Sequence, residues 1–195
     1  AALHMCLAAI PLLPRPGGHI VNISSVGGKI AVPHLLPYSA SKFALTGFSQ
    51  GLRAELLSSG IEVTTVCPGL MRTGSPRNAS FKGQNHKEYA WFNVSDSLPG
   101  LTVSAEAAAR RIVRACALGQ AEVVLGAPAQ LAVLFNALLP AMTNVLLAQV
   151  SRLLPGPGGI GARSARGYES QGVPVPEIVT RLSEKAARLN NEKLR

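Results

Sequence analysis

Tyr38 and Lys42 stand four residues apart, a spacing that puts both side chains on one face of a helix. A free phenol keeps its proton to a pH near 10. An ammonium beside a phenol favours the phenolate and makes it an acid or base usable nearer neutral pH. Ser25 lies 13 residues before Tyr38, just past an apolar run. A hydroxyl there can donate to a substrate oxygen that gains negative charge in a transition state. Ser24 competes for that place, because adjacent strand residues face opposite ways and only one of the two points into a site. The tyrosine–lysine pair alone is weak evidence: average composition places one by chance in roughly one chain of every few this size, and a solvent-facing pair without a role is the bland alternative. Three polar groups gathered at a strand end, a glycine turn and a helix start are far more specific.

These groups need elements to hold them. Residues 1–13 read as the end of a helix. Residues 19–24 (HIVNIS) form a short apolar run bounded by Gly17-Gly18 and Gly27-Gly28, the pattern of a buried strand. Residues 39–59 carry a helical pattern, with Phe48, Leu52 and Leu56 every four residues and Gly60 as the stop. A second stripe on that helix is Ala40, Ala44, Gly47 and Gly51. Two glycines inside a helix cost about 1 kcal/mol each relative to Ala, so close approach of another helix is expected, from the same chain or from a second subunit. Residues 61–66 (IEVTTV) predict a second strand, and residues 121–125 (AEVVL) a third, with a helix over 104–118 between them, started by Ser104. Residues 74–100, rich in Ser, Asn, Gly and Pro, read as a long irregular binding segment carrying Tyr89, Trp91 and Phe92. Strands alternating with helices argue for an α/β parallel sheet.

With 47% apolar and 15% charged residues, the 195-residue chain is globular. Sparse aromatics argue against a base-stacking nucleic-acid surface. The net charge of +9 comes mainly from Arg110, Arg111 and Arg114 and from the last quarter, where Arg152, Arg163, Arg166, Arg181, Lys185, Arg188, Lys193 and Arg195 lie. A solvated tail is the first reading, and a membrane surface or acidic partner the second. Cys6, Cys67 and Cys116 are far apart and odd in number, so neither a disulfide framework nor a metal site is expected, and a reducing, cytoplasmic setting is the default. No charge occurs from Ala127 to Ser151. That length would span a bilayer, but Pro140, Asn136, Asn144 and two glutamines interrupt it. Helices on a membrane surface, on the domain or on a second subunit are the readings. Residues 155–167 have a linker's composition, and residues 176–195 form a basic amphipathic stretch with Val179, Leu182, Ala186 and Leu189 on one face, docked on the chain or on a membrane.

The run from Gly17 to Leu56, with N-I-S-S-x-x-G, then Y-S-A-S-K-F-A, followed by V-C-P-G-L-M-R-T, resembles the short-chain dehydrogenase/reductases, over about residues 1–126. The resemblance implies an NAD(P)-dependent oxidoreductase with a Rossmann-like, doubly wound parallel sheet and a C-terminal helical extension. Tyr38 would be the general acid for carbonyl reduction or the base for alcohol oxidation. Lys42 would assist Tyr38 and bind the ribose hydroxyls of NAD or NADP. Ser25, preferred over Ser24 because the family's serine commonly stands 13 before the tyrosine, would polarise the substrate oxygen. Pro68, Gly69, Met71 and Thr73 would line the nicotinamide, residues 74–100 would form the substrate loop, and the glycine-bearing helix would build a homodimer or homotetramer. The aromatics of the loop lean toward a hydrophobic carbonyl or alcohol.

The chain lacks the family's G-x-x-x-G-x-G phosphate loop, its N-N-A-G strand and the helix asparagine of its proton relay. These parts are expected upstream of Ala1, on a chain truncated at its N-terminus, and the chain alone is expected to hold a dinucleotide poorly. The expected organisation is a Rossmann-like domain over 1–126, an apolar helical extension over 127–154, a flexible linker over 155–175 and a basic amphipathic helix over 176–195. A non-catalytic, membrane-associated interaction protein that keeps the fold is the competing reading, and epimerase or dehydratase work on the same fold is a third.

Overall fold

The computed structural model describes residues 1–98, 100–173, 177–190 and 192. The expected boundary at 175/176, Lys193, Arg195 and the side chain of Val179 lie outside what is described. In chain order the elements are α1 (Ala2–Ala9), β1 (Gly18–Ile23), α2 (Leu36–Leu56), β2 (Ile61–Pro68), β3 (Met71–Arg72), β4 (Ser80–Phe81), α3 (Asn85–Ser97), β5 (Val103–Ser104), α4 (Ala105–Ala117), β6 (Glu122–Leu125), α5 (Ala127–Leu138), α6 (Pro140–Leu153), β7 (Ala165–Arg166) and α7 (Glu177–Leu189). They form two compact units, one of residues 1–69 and 106–143, the other of residues 70–105 and 144–195.

The first unit holds an α/β parallel sheet of order β1-β2-β6. Gly18 to Ile23 pair with Ile61 to Val66, and Thr65 to Pro68 with Glu122 to Leu125. As the middle strand, β2 is covered on both faces: Ile61, Val63, Val66 and Cys67 are fully buried, and so are Thr64 and Thr65. This is why its apolar run barely alternates. Leu52 of α2 and Cys6 of α1 meet Val63 in the core, with Ile10, Ile20, Phe48 and Leu56 around them. A buried polar relay fixes the helices on the sheet. Asn22 Nδ2 and Thr65 Oγ1 both donate to Ser49 Oγ, at 3.0 and 2.7 Å, and Cys6 Sγ donates to Asn22 Oδ1. Buried polar groups of this kind are costly unless every member is satisfied.

Helix α2 begins at Leu36, three residues earlier than its apolar pattern predicts, because Pro37 sits in the first turn, where its missing N–H costs nothing. Its last turn tightens over Leu57–Ser59, and Gly60 closes it at φ 72°, a left-handed position that favours glycine. The stripe of Ala40, Ala44, Gly47 and Gly51 is exposed. A Cβ added at Gly47 or Gly51 would meet nothing within 4 Å, so packing within the described chain does not account for these two glycines.

In the second unit the structure corrects one expectation. Residues 74–100 are not a long irregular segment: they contain the 13-residue helix α3. Its buried face carries Asn85, Tyr89, Asn93, Asp96 and Ser97, a helical repeat of mostly polar residues that hydrophobic periodicity cannot register. Phe81 of β4 packs edge-on against Tyr89 and Phe92. Strand β3 pairs in parallel with β5, and β4 pairs antiparallel with β7. Residues 155–167 are not free of contacts, since Gly83 exchanges backbone hydrogen bonds with Ile160 and Gly161. Helix α7 packs on α3. Ala187 fills the space where a Cβ on Gly74 would lie, and Glu184 pairs with Arg77 at 3.3 Å.

The charge-free stretch folds as two helices, α5 of 12 residues and α6 of 14, separated at Leu139-Pro140. No helix among the described residues is long and apolar enough to cross a membrane. Cys6, Cys67 and Cys116 are free thiols, the first two buried.

Candidate active site

The first unit brings Ser25, Tyr38 and Lys42 to the carboxyl ends of parallel strands, together with Pro68 and Gly69. Crevices outside strand carboxyl ends are where open α/β sheets bind ligands. Strand β1 ends at Ile23, and the chain turns through a 3-10 turn at Val26–Gly28. Ser25 begins that turn, its Oγ accepting from Gly27 N at 3.0 Å. The glycines let the turn lie close to α2. A Cβ on Gly27 would come within 3.0 Å of Tyr38 Cε1, and one on Gly28 within 2.6 Å of both Lys42 O and Thr46 Oγ1. The ring edge of Tyr38 therefore rests against the turn that carries Ser25.

The two serines separate by their partners. Ser24 is buried, its Oγ donating to Lys42 O at 3.0 Å and lying 2.8 Å from Thr46 Oγ1. It clamps β1 to α2 and has no approach to a ligand. Ser25 is half-exposed, on the side of the Tyr38 ring.

Tyr38 lies in the first turn of α2 and is 42% exposed. Lys42, one turn on, holds its Nζ 5.7 Å from the Tyr38 ring centroid and donates to Ile23 O at 3.0 Å. That carbonyl aims the ammonium at the strand end. Partial burial pushes the Lys42 ammonium below its ordinary range, with Cys67 acting in the opposite direction. Burial and the charge of Glu122 push the Cys67 thiol up, against the smaller effects of Lys29, Thr46 and the Ser25 backbone. Cys67 thus sits beneath the site as a neutral, buried support.

Gly69 N donates to Leu125 O at 2.9 Å, and a Cβ on Gly69 would meet the Ala129 methyl at 2.7 Å. Only glycine lets the end of β2 approach α5 this closely. Met71 and Thr73 belong to the second unit. Met71 pairs with Val103. Thr73 Oγ1 donates to Ser75 Oγ at 2.9 Å, and Thr73 O accepts from Asn190 Nδ2 at 3.0 Å.

Three contributors escaped the spacing argument: the Ile23 carbonyl, which no side-chain pattern can reveal, Thr46, which reads as one more polar helix residue, and Ser39. Ser39 is buried and accepts from Val32 N at 3.1 Å, pinning the loop ahead of α2. The Y-S-A-S-K run was the available signal for Ser39.

The residues present fit the nicotinamide-ribose end of a dinucleotide, since a phenol and an ammonium stand at the carboxyl ends of parallel strands that also carry Pro68 and Gly69. They supply no glycine-rich phosphate cradle.

A family model described as short chain dehydrogenase matches residues 1–82. SadH of Mycobacterium tuberculosis, provisionally designated an oxidoreductase, is 45% identical over 116 residues, 58% of this chain and 41% of its own length. Human 17-beta-hydroxysteroid dehydrogenase 13 is 42% identical over 72 residues, 35% of this chain and 24% of its own. Among solved structures, a short chain dehydrogenase from Burkholderia cenocepacia J2315 in complex with NADP is similar with a TM-score of 0.60 and 28% identity, over 75% of this chain and 54% of that one. The chain spans less than half the length of these curated relatives.

Proposed function

The chain belongs to the short-chain dehydrogenase/reductase family, and from this we propose that it forms the catalytic part of an NAD(P)-dependent oxidoreductase interconverting a carbonyl compound and a secondary alcohol. The observation that carries the reading is the Tyr38 ring, exposed at the strand end, resting on the Ser25 turn and flanked by Lys42 Nζ. When bound, the nicotinamide supplies or accepts the hydride. The chain's own groups do the rest. Ser25 Oγ donates to the substrate oxygen and orients it. The Tyr38 hydroxyl gives its proton to that oxygen in reduction and takes one in oxidation. Lys42 places positive charge beside the phenol and offers its remaining donors to the ribose hydroxyls. Pro68 and Gly69 form the floor under the nicotinamide. NADP in the Burkholderia relative supports a nicotinamide nucleotide here. The exposed small-residue stripe of α2 favours a homodimer or homotetramer.

The test is nicotinamide oxidation by the protein expressed from its full gene, with a panel of ketones and alcohols. Tyr38→Phe is expected to lower kcat by at least a hundredfold with little change in nucleotide affinity. Turnover intact in Tyr38→Phe would remove the assigned acid–base role.

A further inference from the structure

Lys29 closes the turn that carries Ser25. Its backbone N–H donates to Val26 O at 2.9 Å, and Ile30 N donates to the same carbonyl at 2.9 Å. Gly28 N donates to Ser25 O, also at 2.9 Å, so the turn is wound backbone to backbone from Ser25 to Ile30. These bonds fix the shape of the turn but not its place on the sheet. Gly28 sets one side of it close against α2. The other anchor is Lys29, on which three elements converge. Its Nζ donates to Glu122 Oε2 of β6 at 2.6 Å, in an ion pair whose side chains are only 19% and 29% exposed. Gln50 Nε2 of α2 donates to the same carboxylate oxygen at 3.0 Å. The Lys29 carbonyl accepts from Asn136 Nδ2 of α5 at 3.1 Å.

In the sequence Asn136 is only an interruption of the charge-free stretch. In the fold it reaches a residue 107 positions back along the chain, directly after the bend at Gly27-Gly28. The magnitudes favour position over stability as the purpose of this cluster. A partly exposed ion pair contributes little to stability. Directional bonds from separate elements instead remove freedom. With its ammonium held by β6 and its carbonyl by α5, Lys29 cannot slide along α2 without breaking both. A displacement of about 1 Å in a group that must meet a reacting atom costs about a hundredfold in rate.

We propose that Lys29 is a positioning residue, held by Glu122 and Asn136, through which β6 and α5 set where the Ser25 hydroxyl meets the substrate oxygen. The effect on turnover rests on the role proposed above for Ser25, whereas the pinning of the turn stands without it.

The experiment compares the full-length protein with Lys29→Met, Asn136→Ala, Ser25→Ala, Tyr38→Phe and the double variant Lys29→Met with Ser25→Ala. Amide hydrogen exchange is read first. The amides of Gly28 and Ile30 should exchange at least about tenfold faster in Lys29→Met and in Asn136→Ala, while those of β2 keep their wild-type rates. Steady-state kinetics with the ketone and alcohol panel follow. Lys29→Met and Asn136→Ala should each lower kcat about tenfold with nucleotide affinity unchanged. In the Ser25→Ala background Lys29→Met should cost less than about twofold, because a residue that acts through Ser25 then has nothing left to position. Unchanged exchange at Gly28 and Ile30 in both variants overturns the proposal, whether or not turnover is found. Unchanged kcat in an enzyme that Tyr38→Phe silences overturns it too, as do equal losses with and without the Ser25 hydroxyl. Turnover that survives in Tyr38→Phe counts instead against the acid–base reading, and the exchange result then decides the pinning of the turn.

Discussion

Ser24 Oγ lies 2.8 Å from Thr46 Oγ1 and donates to Lys42 O, so the first serine of the pair is spent on joining β1 to α2. Its neighbour Ser25 is left facing the Tyr38 ring. The two hydroxyls should therefore fail differently. Ser25→Ala is expected to cut kcat/KM by about a hundredfold with unchanged thermal stability. Ser24→Ala should cost about 1–3 kcal/mol of stability, because it leaves a buried partner unmatched, and less than tenfold in kcat/KM. Paired steady-state kinetics and urea melts decide it; the reverse pattern would exchange the roles.

Gly28→Ala should be among the most damaging single-methyl changes. The added carbon would stand 2.6 Å from Lys42 O and Thr46 Oγ1, one of them backbone that cannot rotate away. A loss of about 1–3 kcal/mol is expected from such overpacking, with kcat/KM down by at least tenfold because the Ser25 turn moves off α2. Denaturant melts and kinetics on the same preparation read both effects.

Gly47→Ala and Gly51→Ala add carbons that meet nothing in the described chain. Helix propensity then predicts a gain of about 0.5–1 kcal/mol each in an isolated subunit. If α2 pairs with a second copy, the same changes should shift the sedimentation profile toward smaller species. Calorimetry and analytical ultracentrifugation together separate the two results.

Asp96 is buried, and its Oδ2 has no hydrogen-bond partner in the structure. Burial raises its carboxyl from the ordinary 3.8 to about 6, with Arg72 pulling the other way. In that window the folded chain binds more proton than the unfolded one, so stability falls as pH rises. The penalty is absent below about pH 3.8 and complete above about pH 6. Asp96→Asn should therefore stabilise the protein by about 1–3 kcal/mol at pH 8, and the difference from wild type should vanish by pH 4. A difference independent of pH would show that charge is not the cause.

Sequence and structure agree best where burial is simple. Strand β2 was legible because Ile61, Val63 and Val66 mark a short β-branched run, and α2 because Phe48, Leu52 and Leu56 recur on the face turned to the core. Helix α3 was hidden because Asn85, Tyr89, Asn93 and Asp96 look like loop residues until a fold buries them. At the site, Tyr38, Lys42 and Ser25 were legible as side chains at fixed spacing. The Ile23 carbonyl that aims Lys42 was not, since every residue has a carbonyl and only geometry selects one. The bends at Gly27-Gly28 were visible as glycines, but their reason, the closeness of Tyr38 and Lys42 O, exists only in three dimensions.

Residues Ser25, Tyr38, Lys42 and Pro68 all lie within the single crossover that runs from β1 through α2 to β2, and Gly69 follows its last residue. The proposed chemistry is therefore carried by one contiguous stretch of the chain, whose core around Leu52 and Val63 is completed by Cys6 and Ile10 just ahead of it. Variation elsewhere in the chain can retune what is recognised without rewriting the reacting groups. Selection acting on substrate range and selection acting on turnover would then fall on separate stretches of the gene.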